Sequence, residues 1–135
     1  MKGKRMKNLK TWLTQYRPLR AEAYRLVEEM DVLKENPSPL ARVQFQTADN
    51  RLKECLAQIE EIEAAITALD DPQERLVLRY RYTDTTTTEP RTWREVAEKI
   101  YGNGSEAKVR ATHRINQRAL EHLAQVLQRQ KQTVM

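Results

Sequence analysis

Apolar residues return along this chain at alternating steps of three and four. In the first stretch they fall at Leu9, Trp12, Tyr16, Leu19, Ala23, Leu26, Met30 and Leu33, the spacing of a helical seam that packs on another helix. Pro18 interrupts the run, because proline lacks a backbone donor and crowds the turn before it, so either the helix kinks or a new helix begins with Pro18 in its first turn, with the kink or break expected near Arg17. Asn36-Pro37-Ser38-Pro39 ends the segment, and Ser38 can cap a following helix with Pro39 in its first position. A second stripe then runs Phe45, Ala48, Leu52, Cys55, Ile59, Ile62, Ile66, Leu69. Two such stripes joined by a four-residue turn predict a coiled-coil-like antiparallel helical hairpin over residues 1–70. The same seam could close across a homodimer formed by these N-terminal helices, and the pattern leaves both outcomes open.

Residues 71–135 read differently. Asp71 is placed to cap a helix with Pro72 first and Glu74 completing a capping box; that helix carries Leu76, Val77, Tyr80 and Tyr82. Thr83–Arg91 (TDTTTTEPR) is β-branched, polar and ends near a proline, which predicts an exposed loop. Thr92-Trp93-Arg94-Glu95 is a second capping box, opening a helix with Val96, Ala97 and Ile100 inward. Trp93, apolar and beside a cap, is taken as core. Tyr101-Gly102-Asn103-Gly104 closes that helix, and Ser105 caps a last one reaching about Gln130. The predicted fold is therefore all-α, a helical hairpin followed by a trihelical helix-turn-helix domain.

The last helix has two faces. At 100° per residue, Thr112, Ile115, Asn116, Ala119, Leu120 and Leu123 share one side. Arg110, His113, Arg114 and Gln117 share the other. An apolar stripe for docking opposed by bidentate donors is what a DNA-recognition helix requires, and these four are the expected base-facing residues. Arg91, Arg94, Lys108 and Arg118 are the expected phosphate contacts, since helix starts in such a domain approach the backbone.

Charge supports an acidic partner. The formal net charge is +5 and 32% of residues are charged, and the distribution is uneven. Residues 1–27 hold eight Lys/Arg against Glu22 alone, 28–70 hold ten acids against four bases, and 91–131 hold nine bases against four acids. Basic ends around an acidic middle suit nucleic-acid contact by the ends. Cys55 is the sole cysteine, which argues against a disulfide framework or zinc cluster and fits a small buried hydrophobe. No apolar run approaches a membrane span, and the basic start has no apolar stretch of a secretory signal after it; a soluble protein of the cytoplasm is expected. No catalytic residues, metal or cofactor are expected. Neither histidine has a nucleophile or carboxylate at catalytic spacing, and Gly102-Asn103-Gly104 lacks the strand and lysine of a phosphate loop.

Residues 68–123 carry Leu69, Glu74, Arg75, Val77, Leu78, Arg79 and Tyr80, then Thr92, Glu95, Val96 and Ala97, then Ser105 and finally Ala119, Leu120 and Leu123. This resembles the C-terminal promoter-binding region of bacterial sigma factors. With the hairpin before it, the chain is similar to the phage-encoded RinA-like and ArpU-like transcriptional regulators. The resemblance implies a sequence-specific regulator of late or packaging genes in a bacterial host, bound to double-stranded DNA in the nucleoid and in reach of RNA polymerase. It places the base-facing residues near Arg110, Ala111, His113 and Arg114. Between Ser105 and Ala119 the chain is about one helical turn longer than the sigma pattern, so the recognition helix starts a turn early or Ser105–Lys108 stays loop. Two alternatives stand beside this reading: a small terminase-type DNA-packaging subunit, and a helical polymerase-binding protein that does not itself read DNA.

Overall fold

A computed structural model describes residues 2–134, with side chains described from 8 to 131. Six α-helices follow one another: α1 (Lys2–Thr14), α2 (Tyr16–Lys34), α3 (Pro39–Thr67), α4 (Pro72–Leu78), α5 (Trp93–Tyr101) and α6 (Glu106–Val134), with a π-helical turn at Arg79–Thr83. The chain is all-α, and no strand occurs among the described residues. Its contacts divide into two compact units, one of Met1–Thr14 with Glu63–Met135, the other Gln15–Ile62.

Gln15–Ile62 is the hairpin. Leu19, Ala23 and Leu26 of α2 and Ala41, Ala48, Cys55, Ile59 and Ile62 of α3 are buried, as the alternating steps predict. Ser38 Oγ accepts from Ala41 N–H at 3.1 Å and so caps α3. The two helices are tied by Arg51, whose Nε and Nη2 both donate to the Glu22 carboxylate at 2.9–3.1 Å. That pairing holds the Glu22 carboxyl below its ordinary value. Cys55 sits beside the pair, its thiol raised chiefly by burial.

The first seam breaks earlier than expected. Helix α1 stops at Thr14, and Gln15 separates it from α2, whereas the sequence pointed to Arg17. The cause is Pro18. It can neither donate to the Thr14 carbonyl nor let its ring clear that group, so the chain breaks four residues ahead and Pro18 lies in the first turn of α2. Helix α1 packs against α6 in the other unit, with Leu9 beside Ala124 and Leu127 and Leu13 fully buried. The apolar stripe of residues 1–34 thus serves two cores, and the units do not divide at residue 70.

In the larger unit, Asp71 accepts from Gln73 N–H at 2.8 Å and caps α4. The expected capping box is not made, because the Glu74 side chain turns inward and is 3% exposed. The helix reaches Tyr82 as expected, but after Leu78 it widens into the π turn Arg79–Thr83, which buries Tyr82. Thr92 and Glu95 do form their reciprocal capping box at α5. Gly102 ends α5 with φ 81°, in the left-handed region where glycine carries no side-chain penalty. The α5–α6 turn is the four residues Gly102–Ser105, within the length a helix-turn-helix uses. Ser105 Oγ accepts from Lys108 N–H, so Ser105–Lys108 is a capped helix start and not loop. Val77 of α4, Val96 of α5 and Ile115 of α6 form the shared core, with Tyr80, Trp93, Ile100 and Tyr101 packed around it.

Candidate nucleic-acid interface

Helix α6 divides into faces as its sequence predicts. Thr112, Ile115, Asn116, Ala119, Leu120 and Leu123 are all buried. The Thr112 hydroxyl donates to the Lys108 carbonyl at 2.8 Å, which satisfies it without a tertiary partner. Arg110, His113, Arg114, Gln117 and Arg118 are all exposed.

The opposite ends of α5 meet opposite flanks of that exposed arc. Trp93, its first residue, stacks on His113 with ring centroids 4.6 Å apart. Tyr101, its last, lies under the Lys108 ammonium at 4.7 Å. Since His113 and Lys108 sit on different sides of α6, α5 crosses beneath it. The crossing leaves the arc between those flanks facing outward.

Arg110, Arg114 and Arg118 on α6 and Arg94 on α5 have no hydrogen bond, ion pair or ring contact among the described residues. A hollow of about 420 Å³ lined by Tyr101, Ala111, Ile115, Gln117 and the two guanidinium-bearing residues Arg114 and Arg118 gives these heads room to swing. Arg94 lies over the α5–α6 turn: a Cβ on Gly104 would come 2.7 Å from Arg94 Cγ. Glycine at 104 therefore lets the arginine stem cross close to the backbone, near the start of α6.

The other predicted residues are engaged within the chain. Arg91 Nε donates to Asp84 Oδ2 at 2.7 Å, with both side chains only 13% exposed, and its guanidinium lies 5.8 Å from the Tyr80 ring centre. Arg81 donates through Nη1 to the Arg91 carbonyl and covers Trp93 at 4.8 Å. The threonine-rich loop is thus closed at its base by an ion pair, while Thr85, Thr86 and Thr88 remain exposed. Burial pushes the Asp84 carboxyl up, but the Thr86 hydroxyl and amide and the Arg91 guanidinium outweigh it and hold the group at about 2. Trp93 is half-buried: it belongs to the core and also presents a ring to His113.

One pair was not foreseen. Glu74 Oε1 lies 2.6 Å from His122 Nδ1, which joins α4 to α6 and corrects the expectation that neither histidine has a carboxylate nearby. The two are 48 residues apart, and the capping-box pattern offered Glu74 a nearer partner. Among the described residues no group of three or more His, Cys, Asp or Glu is arranged to hold a metal ion, and no helix is long and apolar enough to cross a membrane.

The fold and this surface define an all-α chain with a hairpin and a second helical unit in which α6 turns a basic face outward. No family model, curated protein or solved structure matches it.

Proposed function

We propose that this chain is a sequence-specific double-stranded-DNA-binding regulator of transcription, with α6 lying in the major groove. The observation that carries the reading is the exposed arc of α6: Arg110 and Arg114 stand unpaired on a helix whose opposite face is buried. A guanidinium with no internal partner pays no broken ion pair when it meets guanine O6 and N7. Gln117 and His113 extend the same surface. Arg94, Arg118 and Lys108 flank it as phosphate contacts, whereas Arg91 is taken up by Asp84. The sigma-like pattern over residues 68–123 supports promoter-proximal control, and the likeness to phage regulators supports a late-gene or packaging-gene role at the host nucleoid, with RNA polymerase as a further partner.

Selection of bound sequences from a random duplex pool tests this directly. An enriched motif that is lost in a folded Arg110→Ala/Arg114→Ala variant is the expected result. Absence of enrichment, or an unchanged motif in the variant, overturns it. Binding without enrichment that falls steeply with salt would move the assignment to a packaging-type DNA contact, and no binding at low salt to a protein-binding role.

A further inference from the structure

Helix α2 carries a second stripe that the hairpin does not use. Leu19, Ala23 and Leu26 are buried against α3. About a third of a turn round the helix Arg17, Arg20, Tyr24, Val27, Asp31 and Glu35 follow one another at steps of three or four, so they share one flanking face. Tyr24 is 70% and Val27 46% exposed. Asp31 and Glu35 are exposed, and Arg17 and Arg20 half-buried. The order along the face is base, base, apolar, apolar, acid, acid.

That order is complementary to its own reverse. About a two-fold axis placed between residues 25 and 26, Arg20 comes opposite Asp31 of a second copy, and Tyr24 opposite Val27. Arg17 falls against Lys34 of the second copy with Glu35 beside it, so the complementary rim is carried by Arg20 and Asp31. An isologous contact requires this kind of self-complementarity. Within one chain Arg20 and Asp31 are about 16 Å apart along the axis, and neither has an ion pair among the described residues. Asp31 and Glu35 lie at the C-terminal end of α2, the end whose dipole disfavours acids, with Lys34 as the base of the last turn. A partner's arginines would relieve that repulsion. A parallel contact would instead set Arg20 on Arg20 and Asp31 on Asp31.

We propose that this flanking face of α2 is a homodimer interface in which two copies pack α2 against α2, antiparallel. Its centre is Tyr24 and Val27 and its two rims are Arg20–Asp31 pairs. The interface is small and charge-rimmed, so association weakens as salt rises. It stands whether or not the chain reads DNA.

Sedimentation of the full chain without DNA tests it. The wild type should show a concentration-dependent dimer. Arg20→Glu or Asp31→Arg alone brings like charges together twice per dimer and should weaken association by at least about tenfold. An equimolar mixture of the two single variants pairs every reversed charge with its complement and should restore a dimer, as should the Arg20→Glu/Asp31→Arg double variant. Circular dichroism monitors helix content, and the double variant guards against loss of folding in either single one. A wild type that stays monomeric, single variants that associate as wild type does, or a mixture that fails to recover would each overturn the proposal.

Discussion

The two units of this chain manage charge and apolar surface in opposite ways. Gln15–Ile62 holds seven Lys/Arg against nine Asp/Glu, and the remainder holds seventeen against ten. In the hairpin, Arg25, Arg51 and Lys53 are each paired with an acid. In the other unit Arg94, Arg110, Arg114 and Arg118 have no such partner. Exposed apolar bulk runs the other way among the described residues: Tyr24, Val27, Val32, Leu40, Val43 and Leu56 are in the hairpin, and only Leu76 is in the basic unit. Unpaired guanidinium groups on a rigid helix suit a polyanion, while exposed aliphatic and aromatic groups among paired charges suit protein. On the proposed reading the two units would serve two kinds of recognition, and that separation can be tested residue by residue.

The largest expected effect is on DNA affinity. Arg110→Ala/Arg114→Ala removes two contacts at ~1–3 kcal/mol each, a loss of about 30-fold to about 10⁴-fold in binding constant for the selected site. The matched Arg25→Ala/Arg42→Ala variant in the hairpin also removes two positive charges, and should change that constant by less than about threefold, since distant surface charges are screened. Titration of labelled duplex at one salt concentration compares the two. Equal losses in both variants would show that charge, not the α6 surface, drives binding.

Next in size is the Glu74–His122 bond. Glu74 is buried but His122 is half-exposed and can turn to water, so Glu74→Ala should cost about 0.5–1.5 kcal/mol, the net worth of one hydrogen bond. Urea unfolding measures this, and an unchanged midpoint would mean that the carboxylate has no structural role. The sequence hid this pair for a physical reason. Asp71-Pro72-Gln73-Glu74 satisfies a local capping rule, but the chain obtains more by sending Glu74 across to α6 and leaving the cap to Asp71. Local chemistry was legible wherever it met no tertiary competitor: Ser38, Thr92 and Ser105 all cap as their neighbours predict, and the buried and exposed faces of α6 follow the 100° rule. Arg91 is the converse of Glu74. Its charge and place before a helix resemble those of Arg94, yet Asp84, seven residues earlier, captures it, and nothing in TDTTTTEPR marks that closure. The break at Gln15 was displaced because a proline acts on the carbonyl four residues before it.

A comparable effect should come from the Asp84–Arg91 closure. The folded carboxyl is held at about 2, below its usual 3.8, so the charged form is favoured by folding. Its stabilisation is complete above about pH 4 and is lost as pH falls toward 2. Asp84→Asn should therefore lower stability by roughly 1 kcal/mol at neutral pH, solvent screening included, with the difference from wild type vanishing near pH 2. Thermal melts across that range check the sign. A gap that widens on acidification would contradict it.

The smallest and most local test is Gly104→Ala. A Cβ there meets Arg94 Cγ at 2.7 Å and Glu98 Oε1 at 3.0 Å, so the arginine stem must leave the turn. Gly104 does not need glycine's backbone freedom, since Gly102 is the positive-φ position; the cost of a methyl falls on the side chain above it. Stability should change by about 1 kcal/mol or less, because the Arg94 and Glu98 side chains it meets are flexible and can move aside. DNA affinity should fall a few-fold, and the dependence of log affinity on log salt should flatten by about 0.9, one phosphate contact's worth. Arg94→Ala should flatten the slope equally, and the two substitutions combined no further. A Gly104→Ala slope equal to wild type would place Arg94 away from the phosphates and confine the basic surface to α6 itself.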